Sequence, residues 1–325
     1  MRWWFTLRPR SSIDNCAVKK HIYIYSPSGA VRDKPAFKRG VKRLGELGYD
    51  VEVDPDALSS HMRFAGDDET RLAAIHRAAA SGADIALISR GGYGLTRLLP
   101  DIRYKAIAKA IERGTDFVGI SDFTALQLAV LAKTGATTWA GPALCEGFGV
   151  GGAPDLQPDD IMEDCFQDMT SGQGEGTGWS QRTPWAGPAV SIHHALVWGG
   201  NLSVLVSMIG TPFFPNVKGG ILFLEDIGEH PYQIERMLTQ LLHAGILGNQ
   251  KAIVLGQFTG FTLNAHDKGY KLSTVVSWLQ ARLKIPVLTN LPYGHVQTKV
   301  LLPVGRSADL AAEGKDVMLV WGHQH

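Results

Sequence analysis

Short apolar runs alternate with longer segments of helical spacing through the first half of the chain. HIYIYSPSGAV (21–31) is a β-branched and aromatic run that ends in a Ser-Pro-Ser-Gly turn, which predicts a strand. A helix is expected from Pro35 to Leu47, where Gly48 stops it, and YDVEVD (49–54) reads as a second strand. DDETRLAAIHRAAAS (67–81) carries acids in its first turn, where they complement a helix dipole. The strand ADIALIS (83–89) runs into the glycine-rich RGGYG (90–94). A helix over 104–113, the strand DFVGIS (116–121), a helix from Asp122 to Lys133 and the strand ATTWAGP (136–142) complete the series.

This alternation predicts an α/β protein with a parallel sheet covered by helices on both faces. In such sheets, sites lie at the carboxyl ends of the strands. Three of those ends carry small or polar turns, SPSG, RGGYG and GISD, which are expected to converge on one crevice. The texture changes between Gly147 and Pro188, where Gly, Pro and polar residues dominate around a short helical piece (158–169). The organisation expected is a domain over 1–150, a linker with surface loops over 151–188, and a smaller α/β domain over 189–325. In the last part, strands are expected in AVSIHHALVWGGN (189–201), GGILFLEDIG (219–228), KAIVLGQFTG (251–260), IPVLTNLPYG (285–294) and DVMLVWG (316–322). YQIERMLTQLLHAGIL reads as an amphipathic helix with Ile234, Met237, Leu238, Leu241 and Leu242 on one face.

Composition narrows the function classes. With 325 residues and 45% hydrophobic content the chain can bury a sizeable core. The net charge is +1 and Lys/Arg are scattered, so no footprint for nucleic acid is expected. Cys16, Cys145 and Cys165 lack CxxC spacing, which argues against a disulfide scaffold or structural zinc. The opening MRWWFTLRPRSS has too short an apolar run for a signal peptide, and no later run is long enough to span a membrane. A cytoplasmic protein without membrane contact is expected.

FVGISDFT (117–124) poses the chemical question. Ser121 is either a helix cap, the common use of Ser at a strand-to-helix turn, or a nucleophile on a sharp turn. A nucleophile needs a base, a group that orients the base, and N–H donors for the oxyanion. The elbow supplies the N–H of Asp122, and RGGYG supplies a second N–H, assigned to Gly92, because glycines let backbone approach a ligand closely. Of the eleven histidines, His21 and His61 read as structural, His193 and His194 as strand neighbours pointing to opposite faces, and His323 and His325 as terminal. His295 in NLPYGHVQTK stands in a Pro/Gly turn past a strand, a suitable place for a base, although a loop His bonded to backbone is an equal reading. Glu225 and Asp226 end an apolar strand. As strand neighbours, one of them is expected to point inward and to want a partner.

These segments resemble a known family. SPSGAV, RFAGDDETRL, RGGYGLTRLLPDI, GISDFTALQL, WAGP, WGGNLSVLVSMIGTP, GGILFLEDIGEHPYQIERMLTQLLHAGIL, KAIVLGQFTG and GHVQTKVLLPVG are similar to the bacterial LD-carboxypeptidases, serine peptidases that cleave murein tetrapeptides. They cover most of the chain, from about residue 22 to 310, in the family's order. The resemblance implies a Rossmann-like N-terminal domain, a smaller C-terminal α/β domain, a homodimer, and no cofactor or metal. It implies removal of the terminal D-Ala from L-Ala-γ-D-Glu-meso-diaminopimelate-D-Ala, free or attached to muramyl sugars, in cell-wall recycling. Carried over, the triad is Ser121, Glu225 and His295, with oxyanion donors at Gly92 and Asp122. The backbone N–H groups of Ser28 and Gly29, and Arg90, are candidates for the substrate carboxylate by position alone, with Arg90 equally readable as a structural residue bridging loops. The extension MRWWFTLRPRSSIDNCAVKK and the stretch TSGQGEGTGWSQRTPWAGP depart from the family pattern. Two other readings compete. One is a peptidase of microcin C self-immunity type, in which Trp179 or Trp185 stacks on adenine. The other is a non-enzymatic two-lobed small-molecule binding protein. A zinc carboxypeptidase fits poorly, since GEHPYQIE is not HExxH.

Overall fold

In β1 (His21–Tyr25), Ile22 and Ile24 join one buried cluster while Tyr23 and Tyr25 join another, as a central strand buried on both faces requires. The computed structural model describes residues 19–153 and 156–322. Around β1 the first lobe alternates α1 (Lys34–Glu46), β2 (Asp50–Val53), α2 (Asp68–Ala80), β3 (Ile85–Ile88), α3 (Tyr104–Glu112), β4 (Asp116–Gly119), α4 (Thr124–Thr134) and β5 (Thr138–Ala140). The sheet order is β11-β5-β4-β3-β1-β2, parallel except for β11 (Leu302–Val304), which pairs antiparallel with β5. One face is covered by α2, α3 and α4. The other is covered by α1 and by α5 (Asp160–Thr170), whose Met162 and Phe166 pack with Phe37 and Phe148. The ion pair between Arg43 and the buried Glu163 (2.7 Å) ties α5 to α1.

The second lobe is a seven-stranded sheet of order β10-β9-β8-β7-β12-β13-β6. Its elements are β6 (Gly176–Ser180), β7 (Val190–Asn201), α6 (Leu202–Ser207), β8 (Ile221–Ile227), α7 (Pro231–His243), β9 (Ala252–Thr259), α8 (Leu272–Arg282), β10 (Val287–Leu288), β12 (Arg306–Glu313) and β13 (Asp316–Val320). β7 to β10 run parallel, and β12, β13 and β6 close the sheet antiparallel. α7 buries Ile234, Met237, Leu238 and Leu241 as its spacing predicts, with Leu242 at the margin.

The segment expected as a linker (151–188) is built into both lobes, α5 on the first and β6 at the edge of the second. β11, from beyond residue 189, adds to the first sheet instead. Long-range pairing of this kind leaves no local signal in the sequence. His193 and His194 also differ from the alternation expected of them. His194 has φ 50° beside a shift in the β7–β12 register, and both imidazoles turn toward Asp309. Such a bulge breaks the period-two rule. His323, His325 and the extension through residue 18, with Cys16, lie outside the described residues.

Candidate active site

The strand order reverses between β1 and β3, and the loops that follow these strands touch there. The Gly29 N–H donates to Gly91 O (3.1 Å), and Ser28 Oγ donates to Asp122 Oδ2 (2.8 Å). The three turns therefore converge, and Ser121 sits among them. β4 ends at Gly119, where a Cβ would lie 2.6 Å from the Phe123 ring, so only glycine allows the chain to fold so sharply. Ile120 is still extended. Ser121 then adopts φ 66° and opens a 3₁₀ turn (Ser121–Phe123) that leads into α4. The left-handed region costs a non-glycine residue about 1–3 kcal/mol. An N-cap has extended backbone and a bonded side chain, whereas Ser121 has neither, and its hydroxyl bonds to no group among the described residues. The helix-cap reading of Ser121 therefore fails on geometry.

The RGGYG loop lies directly against this hydroxyl. A Cβ on Gly91 would come 2.6 Å from Ser121 Cβ and 2.9 Å from its Oγ. Gly92 has φ 123°, and a Cβ there would lie 2.9 Å from Gly29 Cα. The N–H groups of Gly92 and Asp122 donate to no group among the described residues. The Asp122 side chain is structural: buried, it accepts from Ser28 and from the Leu95 N–H (2.9 Å). Burial raises its pKa, against those two bonds and the nearby Arg71 charge. Of the two backbone N–H groups that are candidates for carboxylate binding, that of Gly29 is engaged by Gly91 O, whereas Ser28 is engaged through its hydroxyl and its N–H donates to no described group. Arg90 donates to Ala30 O (3.1 Å) and approaches Glu146 (3.4 Å), bridging loops while keeping part of its guanidinium exposed.

Acid and imidazole come from the second lobe. Glu225 Oε2 meets His295 Nδ1 at 2.8 Å, with Glu225 fully buried and the His295 side chain 19% exposed. Gly294 (φ 142°) makes this approach possible, because a Cβ there would sit 3.2 Å from the carboxylate and 2.9 Å from Gln257 O. Burial acts to lower the His295 pKa, but the hydrogen bond and charge of Glu225, helped by Asp226, outweigh it and hold the imidazole above its ordinary value. Asp226 is buried as well, where only one of the two acids was expected to be. A break in the β8–β9 register between Leu224 and Asp226 turns both inward. Asp226 accepts from Asn201 Nδ2, Ile227 N and Ser203 N, each at 2.8 Å. Burial and then the Glu225 charge push its pKa up to about 6.

Asn201 joins the lobes. Its side-chain amide also donates to Glu225 Oε1 (3.2 Å), and its backbone N–H donates to Thr124 Oγ1 (3.0 Å), one helical turn past Ser121. Gly200 (φ 134°) allows that contact, since a Cβ would lie 2.5 Å from Thr124 Oγ1. The path Ser121–Thr124–Asn201–Glu225–His295 is therefore continuous, although no hydrogen bond joins Ser121 directly to His295 in this structure. Such bonds are commonly long without substrate. Sequence reasoning did not single out Asn201 or Thr124. The Gly-Gly-Asn end of WGGN, a glycine pair at the tip of a strand, was the available signal.

A cavity of about 670 Å³ lies elsewhere, bounded by 181–187, β9 and α8. It contains neither Ser121 nor His295, and it is lined by Trp185 and Gln257. Trp179 is held in β6 with its indole N–H on Thr289 O (3.0 Å).

Comparison with known proteins identifies the family of the whole chain. The crystal structure of muramoyltetrapeptide carboxypeptidase from Oxalobacter formigenes is 40% identical, with TM-score 0.83, over 93% of this chain and 99% of that one. A Bacillus subtilis (strain 168) protein named "Probable murein peptide carboxypeptidase" is 30% identical over 280 residues, 86% of this chain and 85% of its own. The Microcin C7 self-immunity protein MccF of Escherichia coli is 26% identical over 331 residues, 93% of this chain and 94% of its own. Residues 22–141 match the LD-carboxypeptidase N-terminal domain and residues 194–310 the LD-carboxypeptidase C-terminal domain. The chain belongs to the LD-carboxypeptidase family of serine peptidases.

Proposed function

We propose that this enzyme removes the terminal D-Ala from murein tetrapeptide, L-Ala-γ-D-Glu-meso-diaminopimelate-D-Ala, in cell-wall recycling, through an acyl-enzyme on Ser121. The observation that carries the reading is the buried Glu225–His295 pair, tied by Asn201 to the helix that begins at a strained, unbonded Ser121. The substrate comes from what the Oxalobacter relative is named for. Recycling in the cytoplasm and a homodimer belong to the same proposal and rest on family resemblance.

In this mechanism His295 Nε2 accepts the Ser121 proton as Oγ attacks the diaminopimelate carbonyl that precedes D-Ala. Glu225 holds Nδ1–H, fixing the tautomer and stabilising the imidazolium. The oxyanion lies on the N–H groups of Gly92 and Asp122, each contributing roughly 3 kcal/mol. Collapse breaks the C–N bond, His295 returns its proton to the leaving amine, and D-Ala departs. Water then gives a proton to His295 and its oxygen to the acyl carbon, and Ser121 Oγ recovers the proton as the product acid leaves.

The test is mass spectrometry of the tetrapeptide after incubation with the protein. Loss of one alanine by wild type, and none by Ser121→Ala or His295→Ala, is expected. Full activity in either variant, or an intact tetrapeptide with wild type, overturns the reading. A second reading has support from the self-immunity relative and from Trp185 on the wall of the cavity. Preferential turnover of a peptidyl-sulfamoyl adenylate would establish it instead.

A further inference from the structure

Lys299 follows His295 by four residues on the loop that carries the chain from the second lobe back to β11. It is 3% exposed, yet its ammonium makes no hydrogen bond, and no ion pair within 4.0 Å, with any described group. An ammonium removed from water normally takes a carboxylate partner, because burying a lone charge is costly. Three carboxylates lie within electrostatic reach, Glu146 from the first lobe, Glu225 from the second, and Asp159. Each is already engaged. Glu225 holds His295 and Asn201, Asp159 accepts from Thr298 Oγ1 (2.6 Å) and caps α5 through Met162 N (3.0 Å), and Glu146 faces Arg90. Burial accordingly lowers the Lys299 pKa against the pull of these acids, and its charge is felt by His295. The protein thus keeps a buried lysine within electrostatic reach of acids from both lobes and of His295, with no partner among the described groups.

The leaving group has what this cation lacks. In an exopeptidase that releases an amino acid, the amine protonated by His295 and the terminal carboxylate are attached to the same carbon. The carboxylate must therefore lie within a few ångströms of the base as the product departs. We infer that Lys299 is the anchor for the C-terminal carboxylate of the substrate, and that it confines the enzyme to the last residue of a peptide. This rests on the carboxypeptidase reading above. It takes the place of the Gly29 N–H, which Gly91 O holds, and leaves Arg90 with the loops it bridges.

The experiment compares two peptides, the tetrapeptide acid and the same tetrapeptide ending in D-alaninamide, which lacks only the anionic oxygen. Wild type is expected to favour the acid in kcat/KM by about 100-fold, the usual scale for a buried charge pair that loses one partner. In Lys299→Met the ratio falls to near one, mainly through KM, and Lys299→Arg restores part of it. A merely structural lysine would lower turnover of both peptides alike and leave the ratio unchanged. That result in a variant with native circular dichroism and Tm overturns the assignment. Binding of both peptides to Ser121→Ala, with and without Lys299→Met, is measured by calorimetry in parallel. If wild type hydrolyses neither peptide, the substrate reading fails separately and the binding arm decides Lys299. An acid preference that vanishes with Lys299→Met sustains the anchor. A preference that persists, or no binding at all, removes it.

Discussion

The two lobes contribute to the site in different currencies. The first lobe offers backbone: a serine at φ 66°, a glycine at φ 123°, and N–H groups without partners among the described residues. The second offers side chains: a buried carboxylate, an imidazole bonded to it, and an asparagine that holds acid and helix together. Backbone geometry set by a parallel sheet and its turns is local and rigid. The side-chain cluster depends on three separate segments meeting at the ends of β7 and β8 and on the loop after β10. In the proposed mechanism, the first lobe therefore fixes where charge develops, and the second governs when the proton moves.

This division is sharpened most by Glu225→Gln. The amide keeps the shape but cannot stabilise imidazolium, so kcat is expected to fall about 10²–10⁴-fold. The pH profile gives the sign. His295 must be neutral to accept a proton, and Glu225 holds its pKa above the ordinary value, so in wild type activity is lost as pH falls through that raised pKa. Removing the charge lowers the pKa, and the acid limb of kcat/KM moves to lower pH. A limb that stays in place would mean that Glu225 does not act through His295.

Gly92→Ala attacks the backbone side. A Cβ would meet Gly29 Cα at 2.9 Å in a conformation that L residues avoid. A loss of about 10²-fold in kcat is expected, with no movement of the acid limb. An unchanged kcat would remove the Gly92 N–H from the oxyanion site.

Asn201→Ala tests the link between lobes. It strips a donor from both Glu225 and Asp226, so unfolding in urea should show a loss of about 2 kcal/mol. A drop of about tenfold in kcat should accompany it, since acid and imidazole lose part of their support. Stability and turnover that do not change together would show the bridge to be incidental.

On stability, Ser121→Gly gives the smallest and most diagnostic effect. Hydrolysis is abolished, but glycine tolerates φ 66°, so relief of strain should raise stability by about 1 kcal/mol after its entropic penalty. A loss of stability on that substitution would mean that Ser121 is held by contacts rather than against strain.

Much of the first lobe was legible because its signals are local. Apolar runs of strand length, helices with acidic starts and glycine stops, and small residues at three turns each appear within a dozen positions. The same reading pointed to Ser121, His295 and the Glu225–Asp226 pair, and it left open which acid faces inward. Both do, because a register break that no alternation pattern encodes turns the strand end. The same cause accounts for His193 and His194 sharing Asp309 rather than facing apart.

The sequence by itself determined the element order, the α/β class and the residue types needed for acyl transfer, because periodicity, turn chemistry and side-chain identity are properties of short stretches. Only the tertiary structure decided that β11 returns to the first sheet, that Asn201 reaches Thr124 and Glu225 at once, and that Lys299 is buried without a partner among the described residues. Each of these depends on groups far apart along the chain, and their closeness is set by how the two sheets pack.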